Sequence, residues 1–433
     1  MRRRNKKQNA VWIIVGFGIS IAILVFILFG YVFFNLGSLD QTLRQSIGEA
    51  FHSQATLEPI RWEGLNFSSP KLHLLGEEDA LINEATVAPL TISWNWKALL
   101  FGTIHIHDIS IGEMNVDFSS EHTPQHRDKK SEKNHFLLDR VTISRAKLSY
   151  KGILADGLKM NLTPDPSVGW KIHGSGGHLR VPKLPELQIK SFDCISENGQ
   201  LDLVDSLLAL DGVGHITAKG KSGKNSSLQV NWSGLPANKL IGNAFGKYIS
   251  GDISGKCELD NQDRATGNFR LVNVQLIGIP VLRDIASITG TTALQEPVFN
   301  EMSANFDYKN QSVRLSNIQL ENQGLLKLEG SLFISSEGNL EGNFLLGVGE
   351  GLLATLPGAR EGVFQNQKNG YYWTPLNVGG SLQMPNEDLS PRLAPYVVGK
   401  VLLNQGSKFI EKVPANAVDQ VKDVIDMFLP FGR

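Results

Sequence analysis

The sequence predicts a mainly β protein in which an N-terminal transmembrane helix is followed by a long, curved antiparallel β-meander. The meander is expected to form an open, taco-like groove with a few short helices and to end in C-terminal amphipathic helices. Apolar and polar residues alternate with a period of two from Gly251 to Gly349, which is typical of strands with one buried face. Short loops such as Asn261-Gln262-Asp263 separate the runs, so consecutive strands must pair antiparallel. An uncharged stretch, Ala10 to Phe34, precedes them all.

The composition argues against a nucleic-acid partner and does not decide whether the two cysteines form a disulfide. The chain carries 42 basic and 43 acidic residues, so its overall charge gives no electrostatic reason to bind nucleic acid. Its 43 glycines suit many tight turns better than long helices. The two cysteines, Cys194 and Cys257, are compatible either with a disulfide in an oxidising compartment or with two buried thiols.

The uncharged stretch from Ala10 to Phe34 is long enough, at about 1.5 Å per residue, to cross a bilayer core of about 30 Å. The basic tail, residues 1–9, precedes it, so the positive-inside rule places the N-terminus in the cytoplasm and the chain after residue 36 outside. A cleaved signal peptide is the alternative, but its apolar region should be shorter. The side chains expected to anchor the helix are Trp12, Ile13, Leu24, Phe26 and Phe33.

The elements after the anchor follow from changes of period along the chain. A stem helix is predicted over residues 35–55, because Ser38 and Gln41 resemble a capping box. The strand pattern begins at Thr56, and its change of phase at Asp108 predicts a bulge or a bend. The charged stretch from Glu121 to Asn134 has no periodicity and is expected to be a solvated loop or a disordered insert.

Short helices are predicted at three places in the second half, over Leu235 to Phe245, Ile279 to Ile288 and Gly351 to Leu356. The strand pattern ends near Pro385, and amphipathic helical spacing follows from Ser390. That apolar helical face must cover the β body, a partner or a membrane surface. The predicted regions are a basic tail (1–9), a transmembrane helix (10–34), a stem (35–55), two β regions (56–234 and 235–385) and a helical tail (386–433).

No residue pattern predicts catalysis or metal binding. His105 and His107 stand two apart on one strand, but a metal site needs further ligands and no matching cluster is present. Because Ile104 and Ile106 are expected to face inward, the two histidines should point to solvent. The usual nucleophile, phosphate-loop and zinc motifs are missing, so we expect no enzyme activity, no metal and no cofactor.

Two stretches resemble the AsmA-like family of bacterial envelope proteins. The first runs from Ala85-x-Val87-x-Pro89-Leu90-x-Ile92-x-Trp94 to Leu99-Leu100-Phe101-Gly102-x-Ile104-x-Ile106, directly after a single anchor. The second contains Gly251-Asp252-Ile253-Ser254-Gly255, Gly267-Asn268-Phe269-Arg270-Leu271, the helix at Ile279-Pro280-Val281-Leu282, Phe306, Leu328-x-Gly330 and Leu340-x-Gly342. The resemblance covers most of residues 38–385, whereas the charged insert and the tail helices lie outside it.

The resemblance implies a single-pass protein of the bacterial inner membrane, with a cytoplasmic N-terminus and the bulk of the chain in the periplasm. It also implies a part in phospholipid movement toward the outer membrane or in outer-membrane biogenesis. Phospholipids would then occupy the groove, and the residues expected to line it are Ile104, Ile106, Phe118, Phe269, Phe306, Leu326, Leu328 and Phe344. The alternation itself suits an equally simple alternative, a non-transporting envelope scaffold or assembly factor that docks a protein partner through its C-terminal helices.

Overall fold

The computed structural model describes the chain between residues 44 and 396, with gaps. The described residues are 44–45, 47–48, 53–63, 66–77, 80, 82–95, 104–119, 136–167, 169–182, 184–197, 200–222, 226–240, 249–260, 264–277, 292, 296–354, 358–381, 384–393 and 396. They fall into two units, the first ending at Asp139 and the second beginning at Arg140.

Unit 1 is a small, mostly antiparallel sheet. Its strands are β1 (Ser53–Leu57), β2 (Arg61–Glu63), β3 (Asn66–Ser69), β4 (Leu72–Gly76), β5 (Ile82–Trp94), β6 (Ile104–Phe118) and β7 (Phe136–Leu138). The long strand β5 pairs with both β3 and β4 along one side and with β6 along the other. The short strand β7 pairs parallel with the start of β6. Val87, Leu72 and Leu74 are among the buried side chains.

Unit 2 is a long meander. Its strands are β8 (Val141–Tyr150), β9 (Ile153–Asp165), β10 (Gly169–Ser175), β11 (His178–Arg180), β12 (Leu187–Glu197), β13 (Gln200–Leu210), β14 (Val213–Lys221), β15 (Ser227–Pro236), β16 (Ile249–Asp260), β17 (Ala265–Leu276), β18 (Val298–Lys309), β19 (Ser312–Asn322), β20 (Leu326–Ile334), β21 (Leu340–Gly349), β22 (Asn366–Lys368), β23 (Tyr371–Gly380) and β24 (Pro385–Glu387). From β12 to β21 each strand pairs antiparallel with the next one in sequence.

At several points the order of the strands follows from turns that are too short for any other connection. Between β18 and β19, Lys309 pairs with Ser312, which leaves a two-residue loop. Asn310 and Gln311 in that loop both have positive φ, as the right-handed twist of a hairpin requires. The predicted antiparallel meander between Gly251 and Gly349 is therefore confirmed.

In the part of the chain that the structure describes, four short helices interrupt or follow the meander: α1 (Ala237–Leu240), α2 (Glu350–Leu353), α3 (Ala359–Gly362) and α4 (Leu389–Leu393). Helix α1 falls within the predicted helix over Leu235 to Phe245, and α2 overlaps the one predicted from Gly351. The helix predicted over Ile279 to Ile288 and the tail after residue 396 lie outside the described residues.

Two features of the first half agree with the sequence pattern. The register of β5 and β6 shifts at the predicted point, since Ser93 pairs with Asp108 but Trp94 pairs with Ile106. Arg44, Ile47 and Gly48 are helical, as expected for a stem. The predicted anchor, Ala10 to Phe34, lies outside the described residues, and no helix among the described residues has the length and apolarity to cross a bilayer.

The division at Asp139 differs in position from the predicted boundary between residues 234 and 235. That boundary falls inside β15, which continues to Pro236. The two cysteines are both free thiols on separate strands, Cys194 on β12 and Cys257 on β16. Burial is the main reason that the pKa of each thiol is raised to about 11.

Candidate functional site

The two faces of the sheet in unit 2 differ in chemistry. We call them the apolar face, which carries the side chains of Phe306 and Leu328, and the polar face, which carries those of Arg270 and Asp307. Because side chains alternate along a strand, register pairing places residues of one face in rows that run across the strands. Rows two residues apart on a strand are separated by roughly 7 Å.

Four such rows cross the apolar face between β15 and β23. Row 1 is almost entirely aliphatic: Leu235, Ile253, Leu271, Met302, Leu320, Leu328, Leu346 and Thr374. Row 4 lies at the other end of the strands and is also bulky: Leu228, Leu259, Ala265, Tyr308, Val313, Ile334 and Leu340.

Rows 2 and 3 lie between them and mix bulky side chains with glycine. Row 2 consists of Trp232, Gly255, Phe269 and Ala304, then Ile318, Gly330, Phe344 and Leu376. Row 3 consists of Val230, Cys257, Gly267, Phe306, Leu315, Leu332, Gly342 and Val378. No charged side chain stands in any of the four rows, so the face offers hydrocarbon over eight strands, roughly 34 Å.

The burial of these rows depends on what lies over them. At one corner, helices α2, α3 and α4 pack on the sheet, and the side chains beneath them, such as Val348 and Tyr372, are each only 4% exposed. On the same strand and face as Val348, both Leu346 and Phe344 are only half-buried. All nine residues of β20 are likewise half-buried. Every described strand of unit 2 belongs to one sheet, so no second described sheet covers them.

The polar face carries ion pairs between neighbouring strands. The Arg264 guanidinium donates to both carboxylate oxygens of Asp307, at 2.9 and 2.6 Å, and these hydrogen bonds lower the pKa of that carboxyl. The Nε atom of Arg270 lies 2.7 Å from Oε1 of Glu301. Each pair is largely exposed, so solvent screening leaves it little effect on the stability of the fold. A depression on this face is lined in part by amides, among them Asn317 and Asn343.

The edge strand β23 is closed against further pairing. The strands β22 and β24 cover its two ends. Between them, Asn377 donates its backbone N–H to Asp388, and Arg392 donates to the carbonyl of Pro375 and to the Thr374 hydroxyl. Proline and side-chain caps are common ways to keep a sheet edge from pairing with another chain. The meander therefore ends here.

The structure brings five of the predicted lining residues onto one face. Phe269, Phe306, Leu326, Leu328 and Phe344 all lie on the apolar face of unit 2 and are half-buried. Their assignment as lipid-lining residues stays a prediction. The pattern missed most of row 1, because single runs of alternation do not show which strands lie side by side.

The other predicted residues lie in unit 1. Phe118 pairs with the buried Ile82, and Ile106 pairs with Trp94. The side chain of Ile104 is outside the described residues, although its backbone begins β6. Ile106 and Phe118 are half-buried, so they too remain candidates for contact with an apolar ligand.

The two histidines on β6 share one carboxylate, which the sequence did not indicate. His105 Nε2 lies 2.8 Å from Asp139 Oδ1, and His107 Nδ1 lies 3.0 Å from Asp139 Oδ2. The hydrogen bonds from His105 and then His107 lower the pKa of Asp139. His107 is 66% exposed, as expected, but His105 only 25%. Among the described residues no group of three or more such side chains has the geometry of a metal site.

Comparisons with known protein families, with curated proteins and with solved structures found no match to this chain. The candidate site is therefore defined by its own geometry, a wide hydrocarbon face in which clusters of buried side chains stand beside half-buried ones such as Leu328 and Phe344.

Proposed function

We propose that this chain is a membrane-anchored β-groove protein of the bacterial inner membrane that holds phospholipids in the periplasm. The acyl chains would lie on the apolar face of unit 2, and the headgroups would stay in water. Such a protein would take part in phospholipid transport toward the outer membrane or in outer-membrane biogenesis. The uncharged N-terminal stretch and the resemblance to AsmA-like proteins support the location.

The observation that carries the proposal is the contrast along β21. Val348, beneath the helices, is 4% exposed, whereas Leu346 and Phe344 on the same face are only half-buried. Leaving apolar surface in water costs about 25 cal/mol for every Å². Unpartnered apolar surface that extends over several strands is typical of a surface that binds something.

An acyl chain fits the chemistry of the face. A peptide laid across it would bring backbone N–H and C=O groups that need hydrogen-bond partners, and the four rows provide almost none. A hydrocarbon chain has no such groups, so it recovers the apolar contact without that cost. The phosphate of the lipid would remain outside the rows, where no desolvation is required.

Site-specific photo-crosslinking tests the proposal in the full-length chain. A photoreactive phenylalanine analogue would replace Phe306 on the apolar face or the exposed Asn305, its neighbour on the polar face, in cells labelled with radioactive phosphate. We expect phosphate-labelled lipid adducts at Phe306 and none at Asn305. Protein adducts at Phe306 without lipid would instead support a scaffold that docks a partner, and the absence of every adduct would refute both.

A further inference from the structure

Aromatic rings lie over glycines of the same or a neighbouring strand at several points of rows 2 and 3. A Cβ atom built on Gly255 would lie 2.6 Å from the ring of Trp232, and one on Gly267 would lie 2.7 Å from that of Phe306. A Cβ atom on Gly330 or on Gly342 would lie 2.6 Å from Phe344. At Gly255, Gly267 and Gly330 a backbone carbonyl oxygen of the paired strand would lie nearer still, at 2.4, 2.0 and 2.3 Å. Each ring therefore occupies part of the space that a side chain would otherwise need.

The same arrangement is also found earlier in the meander, outside the four rows. Phe192 on β12 pairs with Gly174 on β10, and a Cβ atom on Gly174 would overlap the Phe192 ring. Glycine weakens a strand unless a neighbouring side chain covers it, and an aromatic ring on the opposite strand supplies that cover. The rings thus occupy the depressions that the glycines would leave in the surface, so the central rows have a more even height.

A level floor distinguishes between two apolar occupants. A packed helix binds by placing its side-chain ridges into grooves of the surface it meets, so it needs relief. Filling each glycine notch with a ring removes that relief. A flexible hydrocarbon chain needs no notches, and a surface without steps lets it lie along the rows and move.

We propose that the ring-on-glycine pairs of rows 2 and 3 form the track on which unbranched acyl chains lie, with rows 1 and 4 as its aliphatic borders. This inference rests on the proposed lipid-carrying function and assigns the contact to particular residues. The glycines set the height of the rings, because a Cβ atom in place of any of the four would lie 2.6 or 2.7 Å from a ring atom.

A substitution at Gly342 is expected to change only the position of the Phe344 ring on the apolar face. The three atoms nearest to a Cβ atom there all belong to side chains: Phe344 at 2.6 Å, and Leu332 and Val378 at 3.2 Å. The change Gly342→Ala therefore forces the Phe344 ring to rise. Gly347 is the matched control on the same strand, since a Cβ atom there would lie 3.0 Å from Trp373 on the polar face.

The experiment uses the full-length chain in phosphate-labelled cells, with the photoreactive residue at Leu315 in row 3. Gly342→Ala should lower the yield of lipid adduct about tenfold, which corresponds to the loss of contact with about two methylene groups. Gly347→Ala should leave the yield unchanged. Removing the ring, in the double variant Gly342→Ala/Phe344→Ala, should restore the adduct, which a general loss of folding would not do.

The outcomes separate this inference from the function on which it rests. An unchanged lipid adduct in folded Gly342→Ala would overturn the track and leave the lipid-carrying proposal intact. The absence of lipid adduct at Leu315 in the otherwise unchanged chain would overturn both. An adduct with residues 397–433 or with a second copy of the chain would show a protein occupant instead. Should Gly342→Ala fail to fold, Gly174→Ala tests the same effect on Phe192, with the photoreactive residue at Ile172.

Discussion

Replacing Leu328 with aspartate should remove lipid from the apolar face without preventing folding. Leu328 lies in row 1 between Leu320 and Leu346, and it is half-buried. Because the side chain still reaches water in the free protein, the carboxylate should cost the fold only about 1 kcal/mol. Covering that carboxylate with hydrocarbon should cost at least about 2 kcal/mol more, which lowers lipid affinity about 30-fold.

The assay is the amount of phospholipid that remains with the purified full-length chain, measured by extraction and mass spectrometry. The matched control is Leu345→Asp, since Leu345 is next to Leu346 but is 48% exposed on the polar face. Acyl chains over the new carboxyl would raise its pKa, so lipid should return to Leu328→Asp as the pH falls toward about 4, where an aspartate becomes protonated. Equal lipid in Leu328→Asp and in Leu345→Asp at neutral pH would refute the reasoning.

Three further predictions concern the described structure. Arg392→Ala should destabilise unit 2 by about 1–2 kcal/mol, seen as a lower melting temperature, because the caps on Thr374 and Pro375 are lost; an unchanged melting temperature would contradict the closed edge. The pKa of Asp139 is lower in the folded chain than the value near 3.8 expected in the unfolded chain. The ionised carboxylate therefore stabilises the fold at a pH above the unfolded pKa, and this stabilisation is lost as the pH falls through the folded pKa. The stability difference between the unaltered chain and Asp139→Asn should therefore be small but measurable by urea unfolding at neutral pH and vanish in acid. Cys257, with its pKa raised to about 11, should resist alkylation at pH 8 until the chain is denatured, as mass spectrometry can show.

The alternation of the sequence was sufficient to predict the strands and the faces, but not which residues become neighbours. Period two places Phe306 and Leu328 on one face, because side chains of a strand alternate whatever its partners are. The rows depend on register, and register depends on bulges. In β19, Asn317 has positive φ and the pairing shifts between Leu315 and Ile318. An asparagine within a strand, such as Asn317, does not by itself predict such a shift in register.

The pairing of rings with glycines could not be predicted for the same reason. Gly342 and Phe344 stand two apart in the sequence, but the second glycine under that ring, Gly330, comes from β20. Likewise, Asp139 is separated from His105 and His107 by a charged insert, so its contact with both imidazoles follows from the parallel pairing of β7 with β6. Neither contact can be predicted from the pattern of residues that are close together in the sequence.

The most direct test of the central claim is a photo-crosslinking scan along β20 in the full-length chain, one residue at a time from Leu326 to Ile334. The strand alternates between the two faces without a bulge against β21. We expect phospholipid adducts at Leu328, Leu332 and Ile334 and none at Lys327, Glu329 and Phe333. Lipid adducts without this alternation, or no lipid adduct at any position, would contradict it.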